Sequence, residues 1–193
     1  MSDPGRHIVA VDGLDGSGKS RLGEALAEAC VAAGTPSLLL HVDDGKRELD
    51  FTGLDEQAEA ALYYDRYYDF DAVERRLASF EHGIAIVEGV FCLRVPAVAD
   101  SAELIVLTVS AKEAQRRIID RDRGKGRTDQ EINWRIDRRY FPGQWRYHAE
   151  HDPMARASVV IDNDNWRQPR IVRRVPGSLP APIERVLDGM LWA

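Results

Sequence analysis

A three-layer α/β/α fold around a five-stranded parallel sheet is what this 193-residue sequence predicts, and three observations predict it. Short apolar runs recur at residues 7–12, 37–42, 84–88, 104–109 and 158–162, separated by longer amphipathic or polar stretches, which is the pattern of βαβ units. The first run passes through a glycine-rich turn into Leu22, Ala25, Leu26 and Ala29, which share one apolar helical face. Gly34-Thr35-Pro36 then ends that helix before the second run begins.

The remaining elements follow from the same periodicities. Residues 55–68 and 71–80 read as two helices between the second and third strands, and 111–121 and 128–139 as helices flanking the polar turn Arg123-Gly124-Lys125-Gly126-Arg127. Residues 44–54 lack an apolar period and read as a loop. After residue 162 the chain turns Pro- and Arg-rich, and residues 183–191 read as a last helix. Residues 1–193 are expected to form one domain, with a lid at about 121–130 and a C-terminal extension from about 164.

A composition of 44 % hydrophobic and 30 % charged residues is that of a globular chain and excludes wholesale disorder and a collagen-like fibre. No apolar run approaches the ~18 residues of a membrane span. The first residues lack a signal peptide's charged-then-apolar order, so the expectation is a cytoplasmic protein that contacts no membrane. Cys30 and Cys92 are too few for a disulfide framework and are expected to be reduced and buried. The net charge of −6 hides a split: residues 1–110 carry 9 basic and 20 acidic side chains, residues 111–193 carry 17 and 12.

The segment Gly13-Leu14-Asp15-Gly16-Ser17-Gly18-Lys19-Ser20 satisfies G-x-x-x-x-G-K-[ST] between a strand and a helix, where a phosphate-binding loop belongs. Its glycines let successive backbone N–H groups converge, and the helix N-terminus adds partial positive charge. In that reading Lys19 bridges the β and γ phosphates of ATP, and the Ser20 hydroxyl ligates Mg²⁺. Lys19 is one of only four lysines in the chain, so its place here is not background. Arg21 and Arg117 complete the expected ATP-binding set. No Asn-Lys-x-Asp segment for guanine recognition occurs.

Two acidic segments point to a small-molecule kinase. Val42-Asp43-Asp44 closes the second strand at the sheet edge where open α/β folds bind ligands. A carboxylate there can orient or deprotonate an acceptor hydroxyl for in-line attack. Val87-Glu88-Gly89 closes the third strand and supplies a further acid beside the loop.

Taken together, these pieces resemble the uridine kinase and phosphoribulokinase family over about residues 7–165. The resemblance rests on residues 8–13 running into the phosphate loop, Asp43-Asp44, Tyr63-Tyr64, residues 67–72, Val87-Glu88-Gly89-Val90-Phe91, Arg116-Arg117-Ile118 with Arg121-Asp122, and residues 140–144 through Asp152-Pro153 to 159–163. It implies that Asp43 is the catalytic acid that engages the acceptor hydroxyl and Mg²⁺, that Ser20 and Glu88 are the other metal-organising positions, and that residues 116–127 form a lid over ATP. This chain departs from the family where Gly45-Lys46 replaces an aromatic residue after the acidic pair. It departs again at Tyr67-Tyr68-Asp69-Phe70, which stands in place of a Phe-Asp-His-Pro segment. The implied reaction is transfer of the ATP γ-phosphate to a hydroxyl, with uridine or cytidine first among acceptors. A different small alcohol, or an ATP-binding regulatory module without an acceptor, stays open.

Glycines and aspartates interrupt the basic run from Arg116 to Arg127, so it reads as a phosphate clamp and not as a nucleic-acid surface. Arg121 and Arg127 are the expected catalytic arginines alongside Asp43 and Lys19, with Arg116 and Arg123 as solvated helix residues. Tyr64 and Tyr68 are candidates for stacking on the acceptor, with Asp43, Asp44 and Asp69 binding its hydroxyls; core packing is the competing reading for the tyrosines. His148 and His151 lack the companions of a zinc site. Trp134, Trp145, Trp166 and Trp192 read as packing anchors. No exposed face could be assigned from sequence, which leaves self-association open.

Overall fold

The computed structural model describes residues 5–190. Its strands are β1 (Arg6–Gly13), β2 (Ser37–His41), β3 (Gly83–Glu88), β4 (Glu103–Thr108), β5 (Val159–Asp162) and β6 (Arg170–Arg174). They form one sheet in the order β2-β3-β1-β4-β5-β6. The first five pair in parallel and lie within one residue of the apolar runs at each end.

The sixth strand corrects the expectation of five parallel strands, because β6 runs antiparallel to β5. Its sequence, Arg170-Ile171-Val172-Arg173-Arg174, buries no face fully and therefore carries no apolar signature. Backbone ladder bonds and arginine contacts hold it instead. Arg170 pairs with Asp162 at 2.5 Å, Arg173 donates to the Ala157 carbonyl at 2.8 Å, and Arg174 reaches Glu184 and, at 2.6 Å, Asp188. An arginine-rich edge also discourages pairing with another sheet.

Alternation along each strand divides the core between two faces. Ile8 and Ala10 of β1, Ala85 and Val87 of β3, and Leu104 and Val106 of β4 join one apolar cluster, while Val9, Val11, Ile84, Ile86, Ile105 and Leu107 join the other. On the second face lie α1 (Lys19–Ala32) and, at the far end of the chain, α9 (Ala181–Met190). The first face is covered by residues of α2 (Glu56–Arg66), α3 (Phe70–Ala78), α4 (Pro96–Ser101), α5 (Ala111–Arg123), α6 (Asp129–Arg135) and α7 (Phe141–His151), with the single turn α8 (Pro153–Arg156) leading into β5. Among the described residues no helix is long and apolar enough to cross a membrane. Cys30 and Cys92 are free thiols in the core.

Helix ends follow local capping chemistry. The Asp55 carboxylate accepts the Ala58 N–H at 2.8 Å and starts α2. Thr128 and Glu131 form a capping box at the start of α6. The helix expected over 128–139 becomes α6, then a π-helical turn at Ile136–Tyr140, and continues into α7, which periodicity did not reveal. Within the π turn Ile136, Arg139 and Tyr140 are buried and Arg138 is half-buried.

The C-terminal extension is part of the core. Leu179, Ile183 and Leu187 are buried with Leu22, Leu26 and Cys30 of α1, and the helix expected at 183–191 is α9. Trp192 lies outside the described residues. Leu187→Ala removes a fully buried side chain, and the expected loss of stability is ~2–5 kcal/mol. Denaturant unfolding measures it, and a change below about 0.5 kcal/mol would mean that α9 is not part of the cooperative core.

Candidate functional site

Parallel pairing brings Val11, Glu88 and His41 level across β1, β3 and β2, so the carboxyl ends of these strands form one edge. The glycine-rich loop leaves this edge from β1. Gly16 and Gly18 have φ of +79° and +99°, and the packing around them leaves no room for a side chain. A Cβ on Gly16 would lie 2.8 Å from the Ala114 carbonyl oxygen, and one on Gly18 would lie 2.8 Å from Asn163 Nδ2. Asn163 Nδ2 donates to the Ser17 carbonyl at 2.7 Å, the Asp15 N–H donates to Gln144 Oε1 at 2.7 Å, and Lys19 Nζ donates to the Leu14 carbonyl at 2.8 Å.

These contacts test whether the loop fits a phosphate chain. No side chain caps α1 at Gly18, so the first-turn N–H groups keep their partial charge for an anion. Ser17 Oγ is buried without a hydrogen-bond partner among the described residues. Loop, uncapped helix and Lys19 together fit the phosphates of a nucleotide.

Beside the loop lies an inner cavity of about 160 Å³. Asp15, Lys19, Ser20, Asp43, Tyr68, Glu88, Arg121 and Arg127 line it, so most of the catalytic and metal-organising residues expected from sequence meet in one place. Ser20 Oγ donates to Glu88 Oε1 at 3.2 Å, and His41 Nδ1 contacts the same oxygen. Asp43 pairs with Lys46. Arg121 Nη1 reaches Asp15 Oδ1 at 2.7 Å, which joins the end of α5 directly to the glycine-rich loop. Asp122, 1 % exposed, takes Arg121 at 2.8 Å, Arg127 at 3.0 Å and Lys125 at 3.4 Å. The basic segment 121–127 is therefore organised around one buried carboxylate.

An outer cleft of about 730 Å³ opens on the other side of the loop, lined by Gly16, Gly18, Arg21, Arg117, Asn163 and Trp166, among others. Arg117 clamps its wall, donating to the carbonyls of Gly16 (3.2 Å), Asn163 (2.7 Å) and Asp164 (2.9 Å). Trp134, Trp145 and Trp166 are not the packing anchors expected from sequence, being 42, 56 and 49 % exposed; Trp166 has the guanidinium groups of Arg21 and Arg167 at 5.6 and 5.0 Å from its ring centre. Leu14 borders a third, apolar cleft with Trp145.

Three expected acceptor residues lie elsewhere. Asp44 is exposed and faces Arg76 at 3.6 Å. Tyr64 packs in the core, where its hydroxyl donates to Glu150 at 2.7 Å and its ring carries Arg94 and Arg146. Asp69 caps α3 through the Ala72 N–H at 3.0 Å and pairs with Arg47. Helical spacing alone could not separate Tyr64 from Tyr68, because the two lie four residues apart on one buried stripe and only the partner elements decide which one meets the cavity. Arg116 and Arg123 are solvated as expected, paired with Glu113, Asp120 and Asp129. Sequence reasoning also missed Lys46, Tyr63, Tyr67, Asp122, Lys125 and Tyr140 in the inner cavity. Lys46 was legible as the residue that replaces an aromatic after the acidic pair.

The electrostatics follow from these contacts. Burial pushes the Asp12 carboxyl up to about 6, although the Tyr147 hydroxyl and the Gly13 N–H, at 2.6 Å, bind its oxygens. Burial also opposes ionisation of Asp15 and Asp122, yet the arginines hold both below the usual carboxylate range, Arg121 acting on each. Burial disfavours charge on Lys46, and its pairing with Asp43 outweighs that and raises it.

Among the described residues no three His, Cys, Asp or Glu side chains form a metal cage. Mg²⁺ bound with substrate phosphates needs only one or two carboxylates and hard oxygen donors, and Ser20, Asp43 and Glu88 supply that chemistry in one cavity.

No protein-family model matches the sequence. No curated protein sequence matches it. Solved structures do resemble it. One, described as a possible uridine kinase from Bacillus stearothermophilus, has 19 % identity and a TM-score of 0.56, over 83 % of this chain and 90 % of that one. Another, described as a candidate fructose transport system kinase from Silicibacter sp. TM1040, has 22 % identity and a TM-score of 0.54, over 77 % and 87 %. The chain shares with them a three-layer α/β/α fold around a mostly parallel sheet. Within that fold the inner cavity lies at the carboxyl edge between β2 and β3, and the outer cleft lies beside the phosphate loop and β5.

Asp12 under the loop generates a pH prediction. Its folded-state pKa lies above the ordinary value of 3.8, so the folded chain binds more protons than the unfolded one between about pH 4 and 6. Stability therefore falls as pH rises through that window, by ~3 kcal/mol from this group. In Asp12→Asn that component is lost, so the difference between wild-type and variant unfolding free energies should change by ~3 kcal/mol between pH 4 and 7. Parallel pH dependence in the two proteins would refute the assignment.

Proposed function

We propose that this protein transfers the γ-phosphate of ATP to a hydroxyl of a small molecule, with uridine and cytidine the first acceptors to test. The observation that carries the reading is the inner cavity, where Asp43 faces the same space as Lys19, Ser20, Glu88, Arg121 and Arg127. A phosphate loop alone serves many nucleotide-binding proteins. A strand-end carboxylate in its cavity is what hydroxyl activation adds.

Each residue's part follows from its place. The loop backbone and Lys19 hold phosphates, and the outer cleft offers Trp166 and Arg117 to the donor's base. Asp43 accepts or orients the acceptor's hydroxyl proton. Arg121 and Arg127 supply planar donors for charge on the transferring group, and the lid that carries them excludes water. Mg²⁺, when bound, neutralises phosphate charge, and Ser20, Asp43 and Glu88 are the residues to hold it. Arg121 is shared between Asp15 and Asp122, so engaging phosphate means exchanging the Asp15 contact for a phosphate oxygen.

Two observations favour a different small alcohol as a second reading. Tyr64 and Asp69 lie outside the cavity, and Lys46 introduces a cation beside Asp43 that suits an acceptor with its own negative charge. The facing positions of Asp43 and Lys19 argue against an ATP-binding module with no acceptor.

An ATP-consumption screen across nucleosides, sugars and hydroxy acids tests the proposal. One class should support turnover, Asp43→Asn should lower kcat by roughly 10²–10⁴-fold, and Lys19→Ala should abolish turnover. Turnover by Asp43→Asn equal to wild type would remove the catalytic assignment. Trp166→Ala should raise the KM for ATP roughly tenfold through lost stacking while leaving kcat nearly intact, and an unchanged KM would take Trp166 out of the donor cleft.

A further inference from the structure

A separate groove of about 460 Å³ lies between residues 49–54 and the end of α6 with the π turn that follows it. Arg135, Arg138 and Arg139 line it together with Glu59, Trp134 and Phe51. Glu59 is 1 % exposed and binds both Arg138 and Arg139 at 2.9 Å. Two guanidinium groups thus share one carboxylate, which leaves a positive charge in excess. Arg135 forms no ion pair among the described residues. Nearby Glu131 is engaged instead with the Thr128 N–H at 2.9 Å and its hydroxyl at 3.1 Å. The lining of the groove therefore sets three arginines against one carboxylate, on a chain whose net charge is −6.

Two of the three arginines are held in place. Arg139 is 7 % exposed, with its guanidinium carbon 3.6 Å from the centre of the Phe51 ring and 4.5 Å from that of Trp134. Arg138 donates to the Leu54 carbonyl at 2.9 Å and lies 5.3 Å from the Trp134 ring centre. Stacking and ion pairing fix the forks before any ligand arrives, which lowers the ordering cost of binding. Trp134, 42 % exposed, adds an apolar wall.

We infer that this groove is a second binding site, for a small organic anion bearing a phosphate or carboxylate, with the anionic group on Arg135 and Arg138 and the apolar part against Trp134. It is a binding site and not a second catalytic one, because its carboxylate is buried under two arginines and Asp43 lies in the inner cavity. The two sites share a wall: Phe51, on the groove side, meets the ring of Tyr67, which lines the inner cavity, at a centroid distance of 6.4 Å. An anion in the groove is thus placed to act on the acceptor side of the site as an effector.

Phenyl phosphate is the probe, with inorganic phosphate and phenol as its separated halves. The readout is the ¹⁵N-indole resonance of Trp134, assigned through Trp134→Phe. Phenyl phosphate should shift that resonance saturably and bind at least tenfold more tightly than either half. Arg135→Ala should weaken binding at least tenfold while the response of the Trp166 resonance to ATP persists. Lys19→Ala should retain the Trp134 response, which separates this site from the proposed kinase activity. An unmoved Trp134 resonance, or equal affinity in Arg135→Ala, overturns the site. Inorganic phosphate binding as tightly as phenyl phosphate overturns the role of Trp134.

Discussion

The close approach of the phosphate loop to its neighbours is the constraint on which the rest of the site depends. Gly16 packs on the carbonyl of Ala114 in α5, and Gly18 packs on Asn163 after β5, both at distances a side chain would violate. The contacts are therefore more than a permissive turn. They tie the start of α1 to α5 and to the end of β5. Arg117 reinforces the same junction by bonding three carbonyls across it. A shift of the loop would move α5, the outer cleft and the helix terminus together.

Charge in this region is managed in layers. Asp12 beneath the loop sits where burial disfavours its ionised form, so it holds position through Tyr147 and Gly13 with little cost in negative field below its raised pKa. Asp15 and Asp122 remain ionised because arginines meet them. The cations of segment 121–127 are thus ordered by carboxylates of the chain itself. The positive half of the sequence is engaged partly in internal pairing, at Asp122 and at Glu59. The early separation of acidic and basic halves becomes, in three dimensions, interleaved contact: first-half Asp15 with second-half Arg121, first-half Glu59 with second-half Arg138 and Arg139.

The legible parts of the molecule were those encoded by local physics. Strands buried on both faces announce themselves as continuous apolar runs, and these, together with the apolar edge strand β2, lay within one residue of expectation. The phosphate loop was readable because glycine spacing and the following lysine are themselves the mechanism. The edge strand β6 was not readable, since arginine pairing to Asp162, Glu184 and Asp188 takes the place of an apolar face. The π turn at Ile136–Tyr140 was equally hidden, because its insertion changes which side of the helix each residue faces without changing composition.

By itself the sequence determined the strand rhythm, the phosphate loop and the two strand-end acids Asp43 and Glu88, all of which depend on neighbours close along the chain. Only the tertiary structure decided which tyrosine meets the inner cavity, since Tyr64 and Tyr68 are equivalent in local pattern and differ in the elements packed against them. It likewise turned Trp166 from a packing residue into a cleft wall, placed α9 in the core, and gathered Arg135, Arg138 and Arg139 over a single buried carboxylate. These are long-range juxtapositions. Their energies arise from contacts between segments far apart in sequence, which no local periodicity records.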